Sequence, residues 1–221
     1  MRRVQPDVWE TEVEHPFPGL STHAYLLVRE AGNVLFYNTG HRHELERMAE
    51  LGGVVYQFLS HRDELGESLN VIHERFGATL GGHRAEREDF ARVREPELLF
   101  ERRGLLLEGI EAIPVPGHSP GSTCFLVTSP HGRRYLFTGD TLYRGEGGLW
   151  HAGFIPGHST AEDRRELIES LGLLKPLQPD VIFSSAFAGE SGYQTLAPGE
   201  WPGLVERALA ELRDPGRESG I

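Results

Sequence analysis

The sequence predicts an α/β fold in which two mixed β-sheets pack face to face, with helices covering their outer surfaces. Apolar strand-like segments come in two groups, each followed by helical segments, and no Pro- or Gly-rich linker separates the groups. A chain of 221 residues suits one domain. We therefore expect a single domain over residues 1–213 and a polar, frayed tail over residues 214–221.

The first group of elements extends to residue 93. "VWETEVEH" alternates in polarity, and the strand-like "THAYLLVRE" and "NVLFYNTG" follow, with a turn at "REAGN". A helix is predicted over "HELERMAEL", where Leu45, Met48 and Ala49 share a face. Next come a strand, "VVYQFLS", and a helix over "ELGESLNVIHERF" with Gly77 as its C-cap. A short polar helix, "AEREDFARV", ends the group.

The second group starts at residue 97 with five strand-like segments: "ELLF", "GLLLEG", "EAIPV", "STCFLVTS" and "RYLFTG". The turn "PHGR" predicts a hairpin between the last two. A helix over "STAEDRRELIESLGLL" is expected to begin with a capping box from Ser159 to Glu162. A strand, "DVIFSS", and a helix, "WPGLVERALAEL", with Pro202 in its first turn complete the chain.

Charge and composition limit the classes of partner. The net charge of −11 argues against a nucleic-acid partner. No apolar run has the length of a signal peptide or membrane span, so we expect a cytoplasmic protein without a membrane partner. The single cysteine, Cys124, excludes an intramolecular disulfide and a thiolate metal cluster. It lies in an apolar strand, which predicts a buried, inert thiol.

Four polar residues stand where predicted strands end. His61 and Asp63 follow "VVYQFLS", His118 lies in "VPGHSPGS" and Asp140 ends "FTGD". Loops at such positions carry function, and two imidazoles with two carboxylates suit Zn²⁺, and equally Fe²⁺ or Mn²⁺. Each residue also has a structural interpretation: His118 and Asp140 as turn residues, and Asp63 as the cap of a helix starting at Glu64.

Together these segments resemble the metallo-β-lactamase-fold hydrolases, the superfamily that includes glyoxalase II-type thioesterases. "VPGHSPGS" and "LFTGDTLY" are similar to that family's "PGHTPGS" and "FTGD" segments, "LSH" to the start of its T-H-x-H-x-D-H motif, and "FYNTG" to its "DTG" turn, with Asn38 replacing Asp. The resemblance implies a four-layer αβ/βα sandwich and a metal-dependent hydrolase. The chain is a divergent member by this resemblance, because its metal motif is degenerate.

The departures from the family pattern concentrate on one of its two metal sites. With His61 placed at the first motif His, Asp63 takes the second, while Leu65 and Gly66 replace the motif Asp and third His. The final family His has no counterpart in "VIFSSAFAGES". The resemblance therefore implies that the ligands of only one metal are retained. An alternative register places His61 at the second motif His, with Asp63 and Glu64 at the Asp and third His.

In the first register, the resemblance implies that His61, Asp63 and His118 are terminal ligands of one divalent ion, and that Asp140 is a fourth ligand or a base for the water. Asp140 and Asp63 are then the candidate catalytic carboxylates. The expected reaction is hydrolysis of a small-molecule ester, thioester or related substrate by a single metal-activated water. The alternative is a metal-free, non-catalytic protein that binds a ligand or partner in the former cleft, which Ser184, Ser185 and Phe187 would line.

Three further features have competing interpretations. The G-x-S-x-G pattern around Ser119 suggests a serine nucleophile, but Pro120 and a strand follow where a nucleophile elbow needs a helix. The Gly-rich loop 143–160 is either a flap with Trp150 and His151 as substrate contacts, or a surface loop. Structural or solvated roles are expected for the remaining histidines in helix-start segments, namely His41, His43, His83 and His158.

Overall fold

The computed structural model describes residues 1–155 and 157–214. The last seven residues of the predicted tail, 215–221, lie outside the described part. The chain divides into two compact units, residues 1–102 and residues 103–221, which are described separately. Each contains a mixed β-sheet and helices, as predicted for an α/β protein. That the chain is one domain over residues 1–213 stays a prediction.

The first unit contains nine strands and three helices among the described residues. The strands are β1 (Arg2–Arg3), β2 (Val8–Glu10), β3 (Glu14–Phe17), β4 (Leu20–Thr22), β5 (Tyr25–Leu27), β6 (Val34–Phe36), β7 (Tyr56–Phe58), β8 (Thr79–His83) and β9 (Leu98–Phe100). The helices are α1 (Glu44–Glu50), α2 (Ser68–Phe76) and α3 (Arg87–Phe90). Short 3₁₀ turns occupy Arg62–Glu64 and Arg84–Glu86.

Seven of these strands form one sheet in the order β1-β2-β5-β6-β7-β8-β9. The strands from β1 to β6 are antiparallel, and those from β6 to β9 are parallel. The parallel part follows from the helical crossovers between its strands. β9 belongs to this sheet, so grouping "ELLF" with the later strands was wrong: β9 returns through α3 to pair beside β8.

Two helices of the first unit differ from the prediction in detail. Ala49 of α1 is exposed, and Glu44 is buried instead, accepting hydrogen bonds from the Met1 ammonium and the Glu12 amide, each at 2.6 Å. α2 begins at Ser68, so Asp63 lies in the preceding 3₁₀ turn and does not cap that helix. Gly77 is the C-cap in the left-handed conformation, as predicted.

The second unit contains nine strands and two helices among the described residues. The strands are β10 (Gly104–Leu107), β11 (Ile110–Pro114), β12 (Thr123–Thr128), β13 (Arg134–Gly139), β14 (Leu142–Arg144), β15 (Trp150–Ala152), β16 (Val181–Ser184), β17 (Ala186–Phe187) and β18 (Tyr193–Thr195). The helices are α4 (Ala161–Leu174) and α5 (Glu200–Arg213). A 3₁₀ turn occupies Glu146–Gly148.

Six of these strands form a sheet in the order β10-β11-β12-β13-β16-β18, in which β13 and β16 are parallel and the other pairs antiparallel. The predicted hairpin of β12 and β13 is confirmed. β14 and β15 form a second hairpin, and β14 also pairs with β17. Leucines of α4 and α5 pack with β11–β13 residues into the core of this unit, burying the apolar faces of both helices.

The N-terminus of α4 differs from the prediction by one residue. Thr160, in an extended conformation, is the N-cap, and its capping box is completed by Asp163 rather than by Ser159 and Glu162. The hydroxyl of Ser159 instead accepts a hydrogen bond from the Ile155 amide at 3.1 Å. Pro202 lies in the first turn of α5, as predicted. In the described part of the chain, no helix is long and apolar enough to cross a membrane.

Candidate functional site

His61 follows β7 and is buried, with 2% of its side chain exposed. Its Nδ1 atom lies 2.9 Å from Ser60 Oγ, whose own proton is donated to the carboxylate of Glu64. The hydroxyl oxygen therefore accepts a hydrogen bond from Nδ1–H. This arrangement leaves the lone pair on Nε2, which lies 3.8 Å from Asp63 Oδ2. His61 is thus held in the tautomer whose Nε2 can be a metal ligand.

The loop that carries His61 and Asp63 is anchored by Asn38. The Asn38 amide group donates to the Glu64 carbonyl at 3.1 Å, and its oxygen accepts from Gln57 Nε2 at 3.2 Å and Ser68 Oγ at 2.9 Å. An asparagine can donate and accept at once, whereas an ionised aspartate only accepts. This requirement explains why Asn38, and not the aspartate of the family pattern, is suited to this position.

His118 and Asp140 form a similar pair in the second unit. The Nδ1 atom of His118 lies 2.8 Å from the Gly153 carbonyl oxygen. A carbonyl only accepts, so Nδ1 carries the proton, and the lone pair of Nε2 lies 3.9 Å from Asp140 Oδ2. The other carboxylate oxygen of Asp140 accepts a hydrogen bond from the Ala186 amide at 3.0 Å. Both side chains of the pair are therefore oriented by backbone groups.

Gly153 is a supporting residue that the sequence analysis missed. A Cβ atom at this position would lie 1.7 Å from the Asp140 carbonyl oxygen and 3.2 Å from His118 Nδ1. Its amide donates to the Thr141 carbonyl at 3.0 Å. Only glycine allows this close approach of the two segments. The only sequence signal for this role was the glycine in "HAGF". The residues that Gly153 contacts, Asp140 and His118, lie in other segments of the sequence.

The four predicted residues thus form two imidazole–carboxylate pairs, one in each unit, with separations of 3.8 and 3.9 Å. Two donor atoms that share a metal at 2.0–2.2 Å each stand about 3–4 Å apart. Each pair therefore fits a divalent ion in donor type, tautomer and spacing. Glu64, a ligand in the alternative register, instead accepts hydrogen bonds from the amide and hydroxyl of Ser60.

Three side chains that were predicted to contact a substrate or ligand, Trp150, Ser184 and Phe187, are buried instead. Trp150 is 1% exposed and donates from Nε1 to Gln194 Oε1 at 2.8 Å, so it belongs to the core and does not contact substrate. The first part of loop 143–160 is the β14–β15 hairpin rather than a flap. Ser184 and Phe187 are also fully buried, and Ser184 Oγ donates to the Gly192 carbonyl, so neither lines a pocket.

The remaining polar candidates have structural roles. Ser119 lies in a turn with its Oγ 2.9 Å from Ser122 Oγ, and a strand follows, which is not the geometry of a nucleophile elbow. Cys124 is buried as predicted, its thiol 3.6 Å from the Thr138 carbonyl, and burial raises its pKa. His83 has a local structural role, because its Nδ1 atom accepts a hydrogen bond from the Ala85 amide and caps the following 3₁₀ turn.

A group that the sequence analysis missed consists of Glu12, His43 and Glu44, whose polar atoms lie within 4.8 Å of one another. Both oxygens of Glu44 already accept hydrogen bonds, from the Met1 ammonium and from the Glu12 amide. The imidazole of His43 lies 3.1 Å from an exposed carboxylate oxygen of Glu12. The positive charge beside Glu44 is therefore the Met1 ammonium of the chain itself. In this respect the cluster differs from the two imidazole–carboxylate pairs described above.

Each unit combines a mixed sheet, helices and one imidazole–carboxylate pair that suits a divalent ion. Residues 24–186 match the sequence profile of the metallo-β-lactamase superfamily. The chain belongs to this superfamily. No curated protein matches it.

Solved structures similar to this chain have the same fold. A metallo-β-lactamase with an HARLDQ motif from Cronobacter sakazakii is 16% identical, with a TM-score of 0.65 over 93% of this chain and 97% of that one. A metallo-β-lactamase family protein from Thermus thermophilus is 18% identical, with a TM-score of 0.67 over 95% and 80%. An archaeal superfamily protein from Sulfolobus tokodaii is 16% identical, with a TM-score of 0.66 over 97% and 88%.

Proposed function

We propose that this protein is a metal-dependent hydrolase whose single divalent ion is bound by His61, Asp63, His118 and Asp140. One observation carries the proposal: both imidazoles have Nδ1 occupied by a protein acceptor, so that both present Nε2 beside a carboxylate. Partners at Nδ1 that select the tautomer and orient the ring are the usual support of metal-binding histidines.

A bound divalent ion supplies a water with a pKa of about 7 and polarises the bond to be cleaved. The protein's own contribution is to orient the ligands and to move a proton. Asp140 is the better placed base, because its Oδ1 is fixed by the Ala186 amide while Oδ2 faces His118. Asp63 is largely exposed, so water reaches its carboxylate, which is the second candidate for accepting the proton.

A single ion is proposed because the residues at the second family site cannot bind one. Leu65 and Gly66 offer no ligand side chain, and the hydroxyl of Ser184 is buried and hydrogen-bonded. The Cronobacter structure is described by an HARLDQ motif, which also contains one histidine. The stretch from His61 here reads HRDELG.

The proposed substrate is a small ester, thioester or related acyl compound, and the proposed ion is Zn²⁺, or else Fe²⁺ or Mn²⁺, which carboxylate-rich sites favour. The acidic charge of −11 disfavours nucleic acid as a substrate. Neither a nucleic-acid nor a membrane partner is proposed. The proposed compartment is the cytoplasm.

The test is elemental analysis of protein purified without a His-tag or chelator. Wild type should contain about one equivalent of Zn, Fe or Mn, and His118→Ala should lose it. His131→Ala is the matched control, because His131 is exposed and lies in the β12–β13 turn. Absence of metal in wild type after reconstitution would refute the proposal and favour a metal-free ligand-binding protein.

A further inference from the structure

A buried carboxylate, Glu64, lies beside His61 without belonging to the proposed set of metal ligands. Only 4% of its side chain is exposed. Its Oε2 accepts a hydrogen bond from the Ser60 amide at 2.8 Å, and its Oε1 accepts one from the Ser60 hydroxyl. Oε1 also lies 3.3 Å from Nδ1 of His61. A charge that is removed from water is costly unless it is hydrogen-bonded, so these contacts are needed to keep Glu64 in place.

The carboxylate sets the direction of a hydrogen-bond chain that ends at His61. An ionised carboxylate only accepts, so the amide and the hydroxyl of Ser60 both donate to Glu64. Because the hydroxyl proton is committed to Glu64, the hydroxyl oxygen can only accept at Nδ1 of His61, 2.9 Å away. Nδ1 therefore carries the imidazole proton, and Nε2 keeps its lone pair.

A glutamine at position 64 would have the same shape but would reverse this chain. Its side chain has one accepting end and one donating end, whereas Ser60 offers two donors to it. The backbone N–H of Ser60 cannot turn round, so the glutamine oxygen accepts from it and the glutamine NH₂ group donates to the hydroxyl. The hydroxyl proton then points at Nδ1 of His61, and the imidazole proton moves to Nε2.

His118 needs no such control, because its Nδ1 partner is the carbonyl oxygen of Gly153, which only accepts. A hydroxyl can donate or accept, so the partner of His61 leaves its tautomer open until a further group decides it. That group is Glu64. The charge of Glu64, and not only its shape, is therefore what fixes the proton of His61.

Glu64 also has a purely structural interpretation, in which it closes the 3₁₀ turn Arg62–Glu64 by accepting from the Ser60 amide. The turn has a second anchor, because Asn38 donates to the main-chain carbonyl of Glu64. A glutamine oxygen could accept from the Ser60 amide equally well. The two interpretations therefore differ in the bond from the Ser60 hydroxyl, which the structural role does not require.

We infer that Glu64 is a positioning residue for the metal ion: through Ser60 it keeps the proton of His61 on Nδ1 and the lone pair of Nε2 available as a ligand. Loss of such a partner of a metal-binding histidine lowers metal affinity about 10- to 100-fold. The inference rests on the proposed metal site. The tautomer, however, is a property of the metal-free protein and can be measured there.

The first experiment records long-range proton–nitrogen NMR correlations of the metal-free protein at about pH 8, where ordinary imidazoles are neutral. Wild-type His61 should be protonated on Nδ1, and Glu64→Gln should move the proton to Nε2. His61→Gln assigns the signals. Glu67→Gln is the matched control, because Glu67 is exposed and its side chain caps no backbone amide of α2. An Nδ1 proton in Glu64→Gln, or any other form in wild type, would overturn the inference.

Zinc titration of the metal-free variants gives a second readout. Glu64→Gln should bind Zn²⁺ about 10- to 100-fold more weakly than wild type. Ser60→Ala should lose less affinity, because Oε1 of Glu64 is 3.3 Å from Nδ1 and can accept its proton directly. A larger loss in Ser60→Ala than in Glu64→Gln would show that contact with the ring matters more than the direction of the chain. That order, or an equal loss in Glu67→Gln, would contradict the inference.

Failure of this inference is distinguishable from failure of the proposed function. If wild type binds no metal, the proposed function fails, and the tautomer spectra decide the role of Glu64 alone. If wild type binds metal and Glu64→Gln keeps the proton on Nδ1, the inference fails and the proposed function stands. If Glu64→Gln does not fold, Ser60→Ala decides, because Glu64 should then hold the Nδ1 proton without the hydroxyl, and an Nε2 proton would refute this.

Discussion

The Nδ1 atom of His118 lies 2.8 Å from the carbonyl oxygen of Gly153, which is 35 residues further along the chain. This hydrogen bond selects the tautomer of His118 and directs its Nε2 toward Asp140. It depends on a glycine, because the backbone at Gly153 lies against the carbonyl of Asp140. One backbone contact therefore organises both residues of the pair in the second unit.

Gly153→Ala should disrupt that pair. The added methyl group would lie 1.7 Å from the Asp140 carbonyl oxygen, so the hairpin must shift away from His118. We expect destabilisation of about 1–3 kcal/mol, the usual cost of overpacking, and weaker metal binding. Urea unfolding and metal titration measure the two effects. Gly172→Ala is the control, because space is open there within α4, and alanine should stabilise that helix slightly.

Asn38→Asp should loosen the loop that carries His61. The substitution restores the family's residue type but removes the donor to the Glu64 carbonyl. An unsatisfied acceptor and a new negative charge near Glu64 should together cost about 1–3 kcal/mol. Denaturant unfolding at pH 7 measures the loss. A variant as stable as wild type would show that the hydrogen bonds of Asn38 are unimportant.

Buried His23 should make stability fall in weak acid. Burial lowers its pKa from 6.5 to about 4, and hydrogen bonds to the backbone of Glu12 and Thr11 only partly offset this. Between these pH values the unfolded chain binds a proton that the folded chain does not. Stability is therefore complete above pH 6.5 and falls as the pH drops toward 4, by roughly 3 kcal/mol in total.

His23→Gln should flatten the stability curve between pH 7 and 4.5, because the titrating group is removed. Urea midpoints at several pH values provide the measurement. His131→Gln is the control, because His131 is exposed in the β12–β13 turn. An unaltered acid slope in His23→Gln would assign the loss of stability to other groups.

Thr160→Ala should cost about 1 kcal/mol by removing the N-cap of α4. Ser159→Ala should cost less, because Ser159 accepts only one hydrogen bond, from the exposed Ile155 amide. Thermal unfolding of the two variants compares the positions directly. The reverse order would support the capping box that the sequence predicted at Ser159 and Glu162.

The sequence by itself determined the α/β class, the five helices of the described part, the strands β2, β5–β7, β9–β13 and β16, and the residues standing at strand ends. It missed strand β8 and the short strands β14, β15, β17 and β18. Apolar periodicity and turn residues are local properties, so they can be read from short segments. For the same reason the sequence placed His61, Asp63, His118 and Asp140 in loops after strands. It also identified the family from segments that residues 24–186 contain.

Only the tertiary structure decided which atoms face one another. The bond between His151 and Glu211 joins residues 60 positions apart, and the burial of Trp150 depends on its distant partner Gln194. The pairing of β9 beside β8 likewise reflects the path of the crossover rather than the composition of the strand. Hydrogen bonds and burial between distant segments depend on the path of the backbone through the fold. Local sequence patterns do not specify that path.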